Sequence, residues 1–570
     1  MDTPAEAFRA ARDVLLRHRG DHEAACAAFR WPALTAFNWV DDWFEPYAAT
    51  VDRTALVVVR DGEVERTSYA QMAERSKRVA RWLRDHGAVR GDRMLVMLPN
   101  VTQLWETMLA AIRLGLVVIP ATPQLTARDL DDRIERGGVK HLVTDREGAG
   151  KLSDPARLQI KLVTEAAAAT AGFTSFEDAR AAPAELERIA TQASDPLLLY
   201  FTSGTTAKPK LVMHTHASYP VGHLSTMYWI GLCEGDIHQN ISSPGWAKHA
   251  WSSLFAPWTA GATVLVHDQA RFSPAATLAV LRAHGVTTLC APPTVWRMMI
   301  LESLGDRPAA LREIVSAGEP LNPEVIETVR SAWGVTVRDG YGQTETTAQV
   351  GNSPGLAVKV GSMGKPLPGY AIAVIDAANR PAAEGEVAIR IGPGERPMAL
   401  MAGYLDDPER TDQAMGAGFY RTGDEASIDA DGYLKFVGRG DDVFKSSDYR
   451  ISPFELESVL VEHPAIAEAA VVPSPDAVRL AVPKAFVTLV PGAVASKELA
   501  REIFEHCSAR LPPYGRVRRL EFAALPKTIS GKIRRVELRT AERTRRETSS
   551  ERAEHEHWLE DFKPDRGEPS

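Results

Sequence analysis

From Thr67 onward apolar residues recur at helical spacing, with Val79, Trp82 and Leu83 on one face until Gly87 interrupts the pattern. Ser68 and Gln71 stand three apart ahead of that run, which is capping-box spacing and predicts where the helix begins. Arg93 to Leu98 (RMLVML) is then a short apolar run, followed by a helical pattern over Leu104 to Leu114 and a second apolar run over Gly115 to Ile119. Runs this short predict strands buried on both faces. Their alternation with helices predicts βαβ units and a parallel sheet covered on each side. The same texture returns in VKHLVTD near 139, ATVLVHD near 262, VTTLCAPP near 286 and LREIVSAGEP near 311.

After about residue 360 the pattern changes. YAIAVID, GEVAIRI and GYLKFVG are short alternating strands separated by Gly, Pro and Asp turns, which predicts a β-rich subdomain. A boundary follows at GRGDD. Beyond it PFELESVLVEHPAIAEAAVVPSP and PKAFVTLVPG predict helix, strand and strand, and KELAREIFEHCSARL predicts an amphipathic helix. From Arg543 the chain is dense in charge and poor in β-branched residues, which predicts a mobile or surface-draped tail. The expected fold is α/β: a large multi-subdomain N-terminal domain (1–438) of helix-covered parallel sheets plus the β-rich subdomain, a small mobile α+β C-terminal domain (439–542), and a charged tail (543–570).

Composition narrows the function classes. With 45% hydrophobic and 25% charged residues the chain lies outside the range of disorder, and 570 residues give material for a large core. Lys and Arg total 66 against 74 Asp and Glu, so the net charge of -8 offers no bulk attraction for nucleic acid. Any anionic ligand must be met by local basic groups. Cys26, Cys233, Cys290 and Cys507 are too far apart in sequence for a CxxC pair, and a reducing compartment is expected. The N-terminus mixes acids and bases, and apolar runs such as Leu114 to Ala121 fall short of the roughly 18 residues of a membrane span. The expected location is therefore cytoplasmic.

Three polar segments follow strand-like runs. Thr202 to Lys210 (TSGTTAKPK) gathers four hydroxyl residues, a Gly and two Lys, whose amides, hydroxyls and ammonium groups suit phosphate oxygens; a solvated Ser/Thr/Gly turn would share that composition. The loop lacks Walker spacing. In Asp339 to Thr347 (DGYGQTETT), Tyr341 could stack on a base while Thr344 and Glu345 hold a phosphate and its magnesium. In YRTGD, Asp424 could accept from both ribose hydroxyls, although an Asp after Gly is more often a turn residue.

Taken in order, TSGTTAKPK, SAGEP (Ser316 to Pro320), GYGQTET, YRTGD, GRGDDVFK and PKTISGK resemble the adenylate-forming acyl-CoA synthetase superfamily over roughly residues 40 to 540. SAGEPLNPEV and the Trp-bearing segment SSPGWAKHAWSSLFAPWTAGATVLVH look most like its medium-chain acyl-CoA synthetase branch. The resemblance implies an enzyme, an acid–thiol ligase. ATP activates a carboxylic acid, here a medium-chain fatty acid, to acyl-AMP with loss of pyrophosphate, and coenzyme A then displaces AMP. The implied cofactors are ATP and Mg2+, with coenzyme A as substrate.

By that resemblance Thr202, Ser203, Gly204, Thr205, Thr206 and Lys210 cradle the β- and γ-phosphates, with Thr205 catalytic, and Glu345 positions the metal. Gly318, Glu319 and Pro320 with Tyr341 hold adenine, inside a nucleotide segment that also takes in Asp339, Gly340, Gly342, Gln343 and Thr344. Asp424 and Arg439 hold the ribose and Arg450 a phosphate. Lys532 matches the family's mobile catalytic lysine, which bridges carboxylate and α-phosphate, and Asp441 matches the hinge about which the small domain turns. Trp246 and Gly364 match the acyl pocket.

Two positions depart from the family pattern. Ala207 stands where the phosphate loop more often has Gly, and Asp448 replaces a Gly in the segment that faces the site during thioester formation. An enzyme that loads a carrier protein, a short-chain or aryl acid–CoA ligase, and a nucleotide-binding regulator without chemistry are the competing readings. Glu345, Asp424 and Lys532 speak against the regulator. Small molecules are the expected partners, with no nucleic acid and no membrane span; homo-oligomer formation is left open.

Overall fold

The computed structural model describes residues 3–165, 172–202, 209–269, 271–446, 449–476, 479–528, 532–549 and 551–562. The chain folds as two compact units. The first is Met1–Ile372 with Ile389–Tyr420 and Ala430–Leu434; the second is Ala373–Ala388 with Arg421–Asp429 and Lys435–Ser570.

The first unit is built on two large sheets. One has nine strands in the order Lys365–Pro366, Thr347–Gly351, Val337–Gln343, Glu313–Ala317, Thr288–Ala291, Ile237–Asn240, Thr263–Asp268, Thr54–Arg60, Glu63–Ser68. The other has eight, in the order Gly403–Tyr404, Lys210–Thr215, Pro196–Thr202, Val117–Pro120, Arg93–Met97, His141–Thr144, Ile160–Val163, Thr174–Ser175. Their inner strands pair in parallel, and antiparallel pairs close the edges except at Thr174–Ser175, which pairs in parallel with Ile160–Val163.

Side-chain alternation along these strands divides the core. Leu56, Val58, Val264 and Val266 of one sheet and Met94, Val96, Val118 and Leu198 of the other pack with helices Tyr69–Asp85, Thr102–Leu114 and Ser218–Ile230 in a single central cluster. Their alternate neighbours face outward. Val57, Val59, Leu265 and Leu289 meet helices Pro274–Ala283, Pro293–Ile300 and Pro323–Trp333, while Leu95, Met97, Val117 and Ile119 meet helix Ala127–Gly137. Ser68 caps Tyr69–Asp85 in a reciprocal capping box with Gln71, worth about 1 kcal/mol.

In the second unit the sheet Ile466–Asp476, Leu480–Leu489, Arg519–Phe522, Glu556–Trp558 carries helices Pro453–Val461 and Lys497–Arg510 against Val471, Ala485, Val487 and Leu520. The alternate residues Ala470, Val472 and Phe486 meet Leu538 of helix Arg535–Thr548. The stretch expected to be a tail is thus structural through residue 562. Its first residues complete that helix, and Glu556–Trp558 pairs antiparallel with Arg519–Phe522. The cause is Lys484, fully buried, whose ammonium meets Glu521 and Glu542 at 2.7 Å and Glu556 at 3.2 Å. Charge that reads as solvated along the chain is here satisfied internally.

Among the described residues no helix is long and apolar enough to cross a membrane.

Candidate active site

Glu313–Ala317 and Val337–Gln343 are parallel neighbours, with Ser316 beside Asp339 and Ala317 beside Gly340. Both chains therefore leave the sheet at the same carboxyl edge, where open α/β sheets take ligands. Gly318, Glu319 and Pro320 follow the first strand, and Asp339, Gly340, Tyr341, Gly342 and Gln343 form the end of the second. Glu319 accepts from the Thr294 hydroxyl at 3.0 Å and pairs with Arg297 at 3.3 Å. Burial pushes the Asp339 carboxyl up to about 8, against hydrogen bonds from the Gly340 amide at 2.9 Å and from Leu321 and against the charge of Lys248. At neutral pH it is mainly an uncharged acid. Lys248, absent from the sequence-derived set, donates to the Ala317 carbonyl at 3.0 Å and steadies the start of that turn.

The next turn is held from several sides. His214 Nε2 donates to the Thr344 carbonyl at 2.7 Å, the Met401 amide to the Glu345 carbonyl at 2.8 Å, and the Tyr370 hydroxyl to the Thr346 carbonyl. Burial drives the His214 imidazole down to about 4, so it stays neutral and can serve as that donor. The Glu345 side chain is buried and its Oε1 accepts from the Tyr404 hydroxyl at 3.0 Å. The Tyr420 hydroxyl donates to Gln343 Oε1 at 2.9 Å.

Thr202 ends one strand and Lys210 begins the next, and the two are register partners, so the phosphate-loop candidate is a strand-to-strand connection. Ser203, Gly204, Thr205, Thr206 and Ala207 lie outside the described residues, as does Asp448. The Lys210 ammonium stands 5.0 Å from the centroid of the Tyr404 ring. Thr202, Lys210, Glu345 and the two strand ends thus belong to one body.

Trp246 is half-buried and precedes the helical turn Ala247–Ala250, whereas Trp251 and Trp258 are core. With Val96, Leu104, Met108, Leu254 and Trp105 it lines an apolar pocket. Gly245 has φ +91°, and a Cβ there would lie 2.3 Å from the Thr122 amide, so the backbone itself sets where Trp246 emerges. A π-helical turn, Trp251–Phe255, follows. Gly364 lies elsewhere. It bridges to Leu434, has φ +103°, and a Cβ would fall 2.0 Å from the Gly351 carbonyl carbon, which explains its small size by backbone packing. It is not among the residues lining the Trp246 pocket.

The remaining candidates belong to the second unit. Asp424 is buried on Phe419–Ile428, its amide donating to Thr422 Oγ1 at 3.1 Å. Arg439 pairs with Asp441 at 3.5 Å, Arg539 donates to the Asp441 carbonyl, and Arg450 pairs with Glu425. Lys532 is exposed; the Thr528 amide donates to its carbonyl at 2.8 Å and its own amide to Thr528 Oγ1 at 3.1 Å.

Sequence reading missed Tyr404, His214 and Lys248. Tyr404 precedes a helix start at Asp407-Pro408, a signal for an element but not for a partner of Glu345.

Residues 44–405 match the model of the AMP-binding enzyme family, and residues 455–532 match that of the AMP-binding enzyme C-terminal domain. The chain is 43% identical over 526 residues to 4-hydroxybutyrate–CoA ligase 1 of Metallosphaera sedula, covering 90% of this chain and 92% of that one. It is 40% identical to the mitochondrial acyl-coenzyme A synthetase ACSM3 of Mus musculus, with 85% of each chain covered. Among solved structures it is similar to the anthranilate CoA ligase AuaEII in complex with anthranoyl-AMP, at TM-score 0.79, 27% identity and 90% and 98% coverage. It is also similar to a benzoate CoA ligase from Burkholderia xenovorans LB400, at TM-score 0.76, 28% identity and 88% and 100% coverage.

Proposed function

The chain belongs to the AMP-binding enzyme family and is an AMP-forming acid–CoA ligase, and from that premise we propose that its acid is an aliphatic carboxylate of medium length. The observation that carries the proposal is the small apolar pocket beside Trp246, about 20 Å³, where aliphatic Val96, Leu104, Met108 and Leu254 stand with the rings of Trp105, Tyr200 and His249. The Metallosphaera sedula relative is named for an aliphatic acid, although a short hydroxylated one, and the two solved structures for aromatic acids.

Activation sets a carboxylate oxygen against the α-phosphate of ATP, so two anions must meet and the barrier is largely electrostatic. The oxygen bonds to phosphorus, the bond to the β-phosphate oxygen breaks, and pyrophosphate leaves. In the second half the coenzyme A sulfur bonds to the acyl carbon, the thiol proton is lost to solvent or base, and AMP leaves with the electron pair of the broken carbon–oxygen bond. Magnesium, which these ligases use, would neutralise phosphate charge; Glu345, a buried carboxylate beside Thr344, fits a hard cation that shares its shell with substrate phosphates.

In this reading Lys210 and the Thr202–Lys210 loop bind the outer phosphates, and Gly318 to Pro320 and Tyr341 bind adenine. Asp424 and Arg439 take the ribose and Arg450 a phosphate. Lys532 brings positive charge to the carboxylate and α-phosphate, and Asp441 is the hinge between the half-reactions. The four cysteines, none in a disulfide, suit a reducing compartment.

The test is a panel of acids scored by pyrophosphate release, with AMP followed with and without coenzyme A. In a dry pocket each methylene contributes about 0.8 kcal/mol, so kcat/KM should climb roughly fourfold per carbon from acetate to hexanoate. A flat or falling series, or benzoate above hexanoate, contradicts the medium-chain proposal. Turnover only with a phosphopantetheine-bearing carrier contradicts coenzyme A as acceptor.

A further inference from the structure

We propose that Tyr404 is a positioning residue for adenylation, one that fixes the Glu345 carboxylate and the Lys210 ammonium together. The inference rests on the reading that Glu345 serves magnesium and Lys210 the phosphates.

Backbone contacts make a strap of the segment around Tyr404. Gly403 and Tyr404 pair with Met213 and Val212 on the strand that begins at Lys210, and the Ala402 and Leu405 amides extend the ladder to Met213 and Leu211 at 2.8 and 2.9 Å. One residue earlier, the Met401 amide holds the Glu345 carbonyl at 2.8 Å. Five consecutive residues therefore lace the Glu345 turn to the Lys210 strand. The Tyr404 amide in turn donates to Thr411 Oγ1 at 2.9 Å, which ties the strap to the helix Pro408–Ala414.

The side chain uses both of its chemical faces. Its hydroxyl donates to Glu345 Oε1 at 3.0 Å, and the electron-rich ring lies 5.0 Å from the Lys210 ammonium. The ring is 7% exposed, so neither contact is diluted by water. A donated hydrogen bond to a buried carboxylate fixes its direction, and a carboxylate that must meet a small octahedral cation gains from a fixed direction. The same ring gives the ammonium a cation–π neighbour on the strap itself. One tyrosine thus presets an anion and a cation that adenylation uses in opposite roles.

Tyr404→Phe removes the hydroxyl and keeps the ring. Calorimetry of ATP binding, without acid so that nothing turns over, should show the magnesium-dependent gain in affinity reduced about tenfold, the loss expected for one hydrogen bond to a charged group. ATP affinity without magnesium should match wild type, while the thermal midpoint falls modestly with the lost buried hydrogen bond. In the pyrophosphate exchange assay the magnesium concentration for half-maximal rate should rise by a similar factor, while the rate at saturating magnesium returns to within about threefold. Tyr404→Phe added to Glu345→Gln should change nothing further.

Unchanged magnesium dependence in Tyr404→Phe, with a strong effect in Glu345→Gln, overturns the proposal and leaves the reading of Glu345 intact. Equal weakening with and without magnesium also overturns it, since a purely structural tyrosine would give that result. Unchanged magnesium dependence in Glu345→Gln removes the reading of Glu345 and the proposal together.

Discussion

Asp339 shows how one residue can be inherited from a motif and yet be unusual in its state. It stands in the strand that precedes the Tyr341–Glu345 turn, and burial holds its carboxyl protonated to about pH 8 in the free chain. Its folded value lies above its unfolded one, so the folded chain holds the extra proton. The associated stability is fully present below about pH 4 and is lost as pH rises toward 8. Asp339→Asn, which cannot ionise, should remove that slope. The difference in thermal midpoint between wild type and variant should shift in favour of the variant from pH 5 to 8.5, and a pH-independent difference would contradict the assignment. Glu345 shows a different dependence on the fold, since it accepts from Tyr404 on a segment 59 residues away. Motif spacing finds Glu345 but contains no trace of Tyr404, because their contact is made by tertiary pairing of strands.

Elements were the most legible level of the chain. Strands such as Arg93–Met97, Thr263–Asp268 and Glu313–Ala317 are readable because burial on both faces leaves little room for polar residues, and Tyr69–Asp85 because its cap and its stripe agree. Glu556–Trp558 was illegible for the converse reason. A three-residue strand whose Glu is buried against Lys484 has the composition of a solvated tail, and only the fold reveals the pairing. Burial tends to raise the Glu542 carboxyl, but hydrogen bonds from Lys484 and Ser474 outweigh it and hold it below the ordinary range. A chain ending at Thr548 loses the edge strand and Glu556, which pairs with both Lys484 and Arg546, although Lys484 keeps Glu521 and Glu542. Scanning calorimetry should show the second unit destabilised by about 3–5 kcal/mol. A transition identical to wild type would mean that the strand is dispensable.

At the scale of the whole molecule the proposed site residues fall in two groups. The large unit assembles Lys210, Glu345, Gly318 to Pro320 and Asp339 to Gln343 around adjoining strand ends, and the second unit carries Asp424, Arg439, Arg450 and Lys532. A barrier made by two like charges calls for added positive charge in the first half-reaction, whereas thiol attack on a carbonyl does not call for that same cation. The most direct measurement is therefore Lys532→Ala assayed separately for each half. The account predicts that pyrophosphate release from acid and ATP falls by at least about a thousandfold, while coenzyme A still converts supplied acyl-AMP to thioester near the wild-type rate. Equal loss in both halves, or pyrophosphate release untouched, would contradict it.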